Sequence, residues 1–381
     1  MNRVARARAL RPTIEAHIAA MEAERRMPAA LSDAVRDAGL YRMLMPQALG
    51  GDEASPQDFV AAVEAVAEVD ASAGWCVMIS ATTAYLSAFL PEATARDLFG
   101  AADCVASGVF APMGKATKEG DIYRLSGRWR WNSNGRNSTV LTAGSLIVEG
   151  GKVRTFDNGA PDHRMLIFRA DSAEFVDTWH TMGLKGTGSG DFAVADLVVP
   201  AAHSVSLFTD RPEVAAPLYA FPAFGLLALG IAATASGNAR AAMADLAALA
   251  TEKTPQASKR TLAERATIQA DFAIADARLR SARAFLVDAI GAAEQAAAEG
   301  AIPLPDKARL RLAATHMTRT AAEVCRAMHD MAGGSAVFLD SPLQRRLRDA
   351  ETMTAHLMVA PPTYEVAGRA AFGLAVDDMG L

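Results

Sequence analysis

Apolar residues recur every three to four positions through the first quarter of the chain, which is the spacing of an amphipathic helix. One predicted helix ends at Gly39, a typical C-cap residue. Another begins with Ser55 as its N-cap and Pro56 in its first turn. Residues 1–100 are therefore predicted to form an N-terminal α-helical domain.

Across residues 101–212 the pattern changes to short strand-like segments separated by glycine-rich turns. The clearest segment is YRLSGRWRWNSNGRNS, residues 123–138, in which apolar and polar positions alternate. Its apolar face comprises Tyr123, Leu125, Gly127, Trp129 and Trp131. Because no long amphipathic helix separates the segments, we predict a middle domain built as an antiparallel β-barrel or sandwich.

Residues 213–381 are rich in alanine and return to the helical spacing. Two stretches, residues 262–298 and 306–331, are long enough to be antiparallel members of a C-terminal four-helix bundle. Small residues let helices pack closely, both within one chain and between chains. We therefore expect a homo-oligomer, a dimer or tetramer, although the same composition fits a monomeric bundle.

Composition narrows the range of partners. The chain of 381 residues is 51% hydrophobic and has a formal net charge of -5, so it gives no electrostatic reason to expect nucleic acid or a membrane as partner. The apolar run at residues 221–235 is short for a membrane span and is predicted to be a buried helix. Scattered cysteines suggest neither disulfides nor a metal site, and the N-terminus lacks a leader pattern, so we expect a cytoplasmic protein.

The end of the strand in residues 123–138 offers the first candidate chemistry. Asn132, Ser133, Asn134 and Gly135 place donors, acceptors and a flexible backbone beside two tryptophans. A planar heteroaromatic ligand would fit such a surface. The same residues are equally typical of a sheet core that ends in an ordinary turn.

Four blocks of sequence, in order, resemble the acyl-CoA dehydrogenase superfamily over nearly the whole chain. They are LSDAVRDAGLYRMLMPQALGG, YRLSGRWRWNSNG, WHTMGLKGTGSGDFAVADLVVP and GGSAVFLDSPLQRRLRD. The GTGSG in the third block is not a dinucleotide-binding fingerprint, because a strand pattern follows it where that fingerprint requires a helix. The resemblance implies the superfamily's fold, with a helical domain, a β-domain and a helical bundle, and a bound flavin.

Dehydrogenation in this superfamily needs a glutamate base. The resemblance places that position on Leu357, and leucine cannot abstract a proton. The alternative location of the base, residues 218–239, contains no carboxylate, and Glu365 lies beyond the expected position. An FAD-dependent acyl-CoA dehydrogenase with an unrecognised base is therefore the first alternative function, and a non-catalytic flavin-binding scaffold is the second.

The chain is most similar to the oxygenase components of two-component flavin-dependent monooxygenases. Ser133 occupies the position of the serine near flavin N5 and His356 that of the histidine facing the flavin, so both are predicted to be catalytic. The resemblance implies a C4a-hydroperoxyflavin, formed from O2 and reduced FAD or FMN from a separate reductase, that hydroxylates or N-oxidises a small organic substrate. A histidine that titrates near neutral pH can hold the peroxide protonated or deprotonate a phenol.

The same resemblance supplies the other candidate residues. Those predicted to bind the cofactor are Phe110, Trp131, Ser133, Gly186, Thr187, Ser189, Gln269, Gly333 and Gly334. Those predicted to bind the substrate are Ser107, Trp75 and Tyr85, and no metal ligand is predicted. For residues 186–189 and for Gln269 an ordinary structural role is the alternative. The family's Ser-Gly pair reads Ser133-Asn134 here, and its element for the FAD pyrophosphate is missing, so FMN and FAD both stay open.

Overall fold

The computed structural model describes residues 2–376, in which two groups of helices flank a series of strands along the chain. The first group comprises α1 (Arg3–Ala9), α2 (Arg11–Glu24), α3 (Ala29–Asp37), α4 (Pro56–Ala67), α5 (Ala71–Ala84) and α6 (Glu92–Phe99). The second group comprises α7 (Ala223–Glu252), α8 (Ala266–Ala298), α9 (Leu304–Ala332), α10 (Pro342–Thr354) and α11 (Pro362–Ala371). The predicted order of helices, sheet and helices is confirmed.

The strands between the two groups form one sheet. They are β1 (Ala106–Glu119), β2 (Ile122–Trp129), β3 (Val140–Glu149), β4 (Lys152–Val153), β5 (His163–Arg169), β6 (Glu174–Val176), β7 (Asp191–Pro200) and β8 (Ser204–Val205). Their order in the sheet is β6-β7-β2-β1-β3-β5-β8, with β4 paired to β3.

The sheet is mixed, which differs from the antiparallel prediction at one pair. β1 runs parallel to β3, whereas β2 runs antiparallel to β1. The reason is the connection after β2, which passes the N-terminal end of β1 and delivers the chain to its other side. There the Thr139 N–H group donates to the Val105 carbonyl at 2.8 Å, and Val140 pairs with Ala106.

Local sequence signals explain where the N-terminal helices begin and end. Ser55 Oγ accepts the Asp58 N–H group at 3.1 Å, so it caps α4 as predicted. Asp70 caps α5 in the same way. Gly39 follows α3 with a φ of 73°, a conformation in which glycine has no steric cost.

The two tryptophans of the clearest predicted strand do not share one face. Trp129 is fully buried, stacks on Phe192 with ring centroids 4.9 Å apart, and donates from Nε1 to the Gly144 carbonyl at 2.7 Å. Trp131 is 59% exposed, because β2 ends at Trp129. The predicted strand is therefore correct up to Trp129 and wrong for Trp131.

The long C-terminal helices match their predicted positions within a few residues. Residues 223–239 of α7 are almost entirely buried, which confirms the buried helix predicted from the apolar run. α8 starts slightly later than predicted, at Ala266. None of the helices in residues 2–376 combines the length and apolarity needed to cross a bilayer.

An ion pair between a buried glutamate and a partly exposed arginine joins the N-terminal helices to the C-terminal bundle. Glu64 on α4 is only 2% exposed. Its carboxylate accepts hydrogen bonds from Ser236 Oγ on α7 at 2.7 Å and from Arg283 Nη2 on α8 at 2.8 Å. Because a buried charge needs such partners, these contacts hold α4 against both helices.

We expect Arg283→Met to lower the free energy of unfolding by about 3 kcal/mol, because it leaves the Glu64 carboxylate buried without its counter-charge. Urea unfolding measures the change, and Glu64→Gln/Arg283→Met should recover much of it. Arg96→Met is the matched control, since the Arg96–Glu92 pair is exposed and should contribute less than about 1 kcal/mol. Equal losses in Arg283→Met and Arg96→Met would contradict a role for the buried pair.

Candidate active site

Three residues that are far apart in sequence meet at one place: Trp75 on α5, Ser133 after β2 and His356 after α10. The Trp75 Nε1–H group donates to Ser133 Oγ at 3.0 Å. The Trp75 and His356 rings meet edge to face, with centroids 5.6 Å apart. The structure thus brings together both predicted catalytic residues and one predicted substrate-binding residue, which we call the Trp75–Ser133–His356 group.

Ser107, at the start of β1, supports the turn that carries Ser133. The Ser107 hydroxyl lies 2.8 Å from Asn132 Oδ1 and also bonds the Ser133 carbonyl oxygen. Ser107 has no exposed surface and supports this turn, and its predicted contact with substrate stays a prediction.

Asn134 explains the departure from the family's Ser-Gly pair. Its φ is 59°, in the left-handed region that asparagine tolerates better than most residues. Its Nδ2 donates to Ser80 Oγ at 3.1 Å, which ties the turn to α5. Asparagine therefore provides the backbone conformation of a glycine and adds a buried hydrogen bond.

The GTGSG turn, residues 186–190, contacts Ser133. Ser189 Oγ is 2.7 Å from Ser133 Oγ, and Thr187 Oγ1 is 2.6 Å from Ser189 Oγ. A Cβ on Gly186 would lie 2.8 Å from Met21 Cβ, so the turn is packed directly on α2. All three predicted cofactor-binding residues of this turn are buried, and their contact with a cofactor stays a prediction.

Trp131 presents its indole at the surface beside this turn. Its φ is 67°, in the left-handed region that costs a non-glycine residue about 1–2 kcal/mol. Backbone hydrogen bonds hold this conformation, because the Asn132 N–H group donates to the Gly190 carbonyl at 2.9 Å and Ser133 N–H donates to the Trp131 carbonyl at 3.0 Å. Strained residues of this kind are typical of functional sites.

His356 is a neutral hydrogen-bond donor. Its Nδ1 accepts the Met358 N–H group at 3.2 Å. Burial, together with the positive charge of Arg311, lowers the pKa of His356 to about 4. The ring is therefore uncharged near neutral pH, and because Nδ1 is an acceptor the proton lies on Nε2. Within residues 2–376 no other group hydrogen-bonds the imidazole, so Nε2–H is available to a bound molecule.

Asp349 ties α10 to the turn behind Ser133. Its buried carboxylate accepts the Leu184 N–H group at 2.6 Å. Burial and the neighbouring Asp70 carboxylate raise the pKa of Asp349 to about 7. The helix that positions His356 and the turn that supports Ser133 are therefore held as one unit.

Two other predicted residues lie nearby. Tyr85 is 1% exposed and donates to the Phe221 carbonyl at 2.7 Å, so it fixes the connection before α7, and its predicted contact with a substrate stays a prediction. Phe110 on β1 is half-buried and contacts the ring of Phe224, with centroids 5.8 Å apart. Of these two residues, only Phe110 keeps a surface for a ligand.

Gln269, Gly333 and Gly334 are exposed and make no hydrogen bond to the Trp75–Ser133–His356 group. Gln269 Nε2 donates to the Ala263 carbonyl at 2.9 Å, at the start of α8. The two glycines end α9 and lead to an apolar tip, residues 337–339, whose side chains are 65%, 65% and 90% exposed. Their predicted contact with a cofactor stays a prediction.

Sequence reasoning missed Arg311 and the pairing of Asp349 with Leu184. Arg311 is 4% exposed and donates from Nη2 to the Met358 carbonyl at 3.0 Å, beside His356. No local signal distinguishes this arginine from others on α9. Asp349 belongs to the C-terminal block of the resemblance, but nothing in the sequence pairs it with a backbone amide far away along the chain.

The positions of the dehydrogenase base hold no carboxylate. Leu357 is 71% exposed, and the first turn of α7 has no acidic residue. Glu365 is exposed in the first turn of α11. The position that the resemblance gives to the dehydrogenase base is therefore an exposed leucine, which directly follows His356.

Two family models match the chain: the acyl-CoA dehydrogenase N-terminal domain over residues 3–96 and the acyl-CoA dehydrogenase C-terminal domain over residues 229–361. The chain belongs to the acyl-CoA dehydrogenase family, which confirms the resemblance.

Within that family the chain is similar to monooxygenases. It is 32% identical over 361 residues to the indole-3-acetate monooxygenase of Pseudomonas putida, covering 94% of this chain and 90% of the relative. It is 27% identical over 355 residues to the oxygenase component of the FADH(2)-dependent resorcinol hydroxylase of Rhizobium sp., and the match covers 88% of this chain and 85% of the relative. The structure of XiaF from Streptomyces sp. in complex with FADH2 and glycerol matches with a TM-score of 0.90 at 23% identity, over 98% of this chain and 95% of that one.

Replacing Trp131 by glycine should give a more stable protein than replacing it by alanine, by roughly 0.5–1 kcal/mol. Both variants remove the same exposed indole, but only alanine keeps the cost of the left-handed backbone. Urea unfolding of the two variants measures the difference. Equal stability would mean that the turn relaxes and stores no strain.

The raised pKa of Asp349 makes its ionisation oppose folding. The contribution of protonated Asp349 to the free energy of unfolding is fully present below about pH 4, near the pKa of the group in the unfolded chain. It is lost as the pH rises through about 7, the pKa in the folded protein. Asp349→Asn should remove this loss, so its urea midpoint should fall less than that of the unmodified protein between pH 4 and pH 7. Asp121→Asn, at an exposed aspartate, is the control and should leave the pH profile unchanged. Identical profiles for Asp349→Asn and the unmodified protein would contradict this assignment.

Proposed function

We propose that this chain is the oxygenase component of a two-component flavin-dependent monooxygenase, which uses reduced FAD or FMN and O2 to hydroxylate or N-oxidise a small organic substrate. The observation that carries the proposal is the Trp75–Ser133–His356 group, in which one tryptophan joins a serine hydroxyl to a neutral histidine. The named activities of the relatives at 32% and 27% identity support the same class of reaction.

The residues present fit a flavin. A planar ring system needs a flat apolar surface and a small number of polar groups. Trp131 and Leu357 are exposed apolar side chains that lie within two residues along the chain of Ser133, which is buried, and of His356, which is half-buried. Reduced flavin bound there would supply the electrons that activate O2. Trp131 would pack on its rings, and Ser133 would hydrogen-bond its polar edge.

His356 would act as a neutral donor, because its pKa of about 4 leaves it uncharged near neutral pH. This value lies below the near-neutral titration expected from the sequence. It favours a hydrogen bond from Nε2–H to a reactive oxygen over outright proton transfer. Trp75 is 6% exposed and packs against the imidazole, so it would keep water from this side of the site.

The substrate and the assembly are proposed from one relative and one exposed patch. Indole-3-acetate is the first candidate substrate, because the relative at 32% identity is named for it. The exposed apolar tip at residues 337–339 favours a homo-oligomer, a dimer or tetramer, in which a second copy would cover it. A flavin reductase and a cytoplasmic location stay predictions.

The test of the proposal is His356→Ala, mixed with anaerobically reduced flavin and then with O2 and indole-3-acetate or a panel of indoles and phenols. We expect the variant to bind flavin and consume O2, but to release hydrogen peroxide with at least a tenfold loss of product, because the donor to the reactive oxygen is gone. The ratio of product to peroxide per flavin oxidised is the measurement.

His17→Ala is the matched control, because His17 lies on α2 and its Nδ1 bonds only the Thr13 carbonyl. It should leave the ratio of product to peroxide unchanged. An unchanged ratio of product to peroxide in His356→Ala would contradict the catalytic role of His356. Bleaching of bound oxidised flavin by an acyl-CoA without O2 would instead favour the dehydrogenase, and failure to bind flavin in either redox state would favour the scaffold.

A further inference from the structure

A cleft of about 440 Å³ lies where the start of α10 meets α2, α7 and the end of α4. It is separate from the Trp75–Ser133–His356 group, because none of those three residues lines it. Four arginines and three carboxylates line the cleft, so its surface is strongly charged. The proposed reaction uses none of these side chains. We call this place the α10 cleft.

The carboxylates of the α10 cleft are each paired with one arginine, which leaves one arginine over. The pairs are Arg11–Glu15 at 3.2 Å, Arg240–Glu68 at 2.7 Å and Arg346–Asp245 at 3.2 Å. The fourth arginine is Arg345. Its Nη1 lies 3.7 Å from Asp70 Oδ2, which is too far for a hydrogen bond, and Asp70 Oδ1 already accepts the Ala73 N–H group at the start of α5. The lining therefore carries one positive charge in excess.

Two guanidinium N–H groups at the α10 cleft are buried without an acceptor. Arg345 and Arg346 are 9% and 5% exposed. Among residues 2–376, Nε of Arg345 and Nη1 of Arg346 find no hydrogen-bond acceptor. The rest of the Arg346 guanidinium is fixed, because Nε donates to Asp245 at 3.2 Å and Nη2 donates to the Glu68 carbonyl at 3.3 Å. Since a buried charged donor without an acceptor is costly, the two groups indicate a ligand that supplies acceptors.

A phosphate group has the chemistry that these donors require. Its oxygens accept several hydrogen bonds at once, and its negative charge offsets the excess positive charge of the lining. Guanidinium groups suit phosphate well, because their donors lie in one rigid plane. Pro342, the first residue of α10, also lines the cleft, so the positive end of this 13-residue helix lies at its edge. The arginines and the helix therefore both favour an anion over a neutral ligand.

We propose that the α10 cleft is a binding site for a phosphate group, held by Arg345 and Arg346 at the start of α10. The proposal does not depend on the flavin-dependent reaction, because the cleft shares no residue with the Trp75–Ser133–His356 group. A bound phosphate would tie α10 to α7 and to the end of α4, since Arg346 already contacts both. α10 ends at Thr354, two residues before His356, so one helix connects this cleft with the candidate active site.

The test is isothermal titration calorimetry of the full chain with inorganic phosphate and, separately, with glycerol 3-phosphate. Sodium chloride keeps the ionic strength constant, so that screening is the same throughout. We expect one saturable site per chain, with a Kd below about 1 mM for at least one of the two probes. Tighter binding of inorganic phosphate would identify the free ion as the ligand, and tighter binding of the ester would identify a phosphorylated organic molecule.

Two variants locate the binding. Arg345→Gln should weaken it by about tenfold or more, because a hydrogen bond to a charged group is lost. Arg346→Lys keeps the positive charge but loses the planar set of donors, and it should weaken binding by roughly tenfold as well. Arg96→Gln is the matched control, because the Arg96–Glu92 pair is exposed on α6, and its Kd should stay within about twofold.

Phosphate should also raise the urea midpoint of the unmodified protein, and this rise should be lost in Arg345→Gln and in Arg346→Lys. A Kd above about 1 mM for both probes would overturn the proposal. Equal affinities in all three variants would overturn it too, because phosphate would then bind outside the α10 cleft. Either result would leave the proposed function intact, since no flavin takes part in the measurement.

Discussion

The passage of the chain across the start of β1 is the constraint on which the site depends. Because β3 runs parallel to β1 on the side opposite β2, the connection between β2 and β3 has to cross the N-terminal end of β1, where Ser107 lies. A connection buried in this way must find partners for its polar groups inside the protein. Asn132 and Asn134 do so with side chains of β1 and α5, and Ser133 does so with Trp75 and Ser189. The sheet topology therefore determines where the polar residues around Ser133 lie.

The same architecture serves different chemistry in this family according to a few side chains. The connection after α10 carries Leu357 at the position that the resemblance gives to the dehydrogenase base, and the residue before it is His356, whose pKa is lowered by burial and by the nearby Arg311 charge. In the proposed oxygenase this imidazole would donate a hydrogen bond to oxygen without taking a charge, whereas a carboxylate would remove a proton from carbon. The fold therefore positions the group, and the identity of the side chain decides the reaction.

Local features of the structure could be read from the sequence, and features that depend on distant contacts could not. The cap at Ser55 acts on an amide within the same turn of helix, so its sequence signal suffices. The departure of Trp131 from its strand depends on the hydrogen bond from the Asn132 N–H group to the Gly190 carbonyl. The alternation of apolar and polar residues does not predict this bond. The resemblance predicts roles for Ser133 and His356, but it could not reveal that Ser107 would be fully buried.

The way the site is assembled has a consequence for how the protein folds. Trp75, Ser133 and His356 come from the N-terminal helices, the sheet and the last part of the bundle, so the contacts among them span most of the chain. Contacts of such high sequence separation form late, after the loops that they close have lost their conformational freedom. A partly folded intermediate with only one helical group docked would lack the site altogether. Flavin would consequently bind only the finished fold and would stabilise it by mass action, so that cofactor supply and folding yield would be linked.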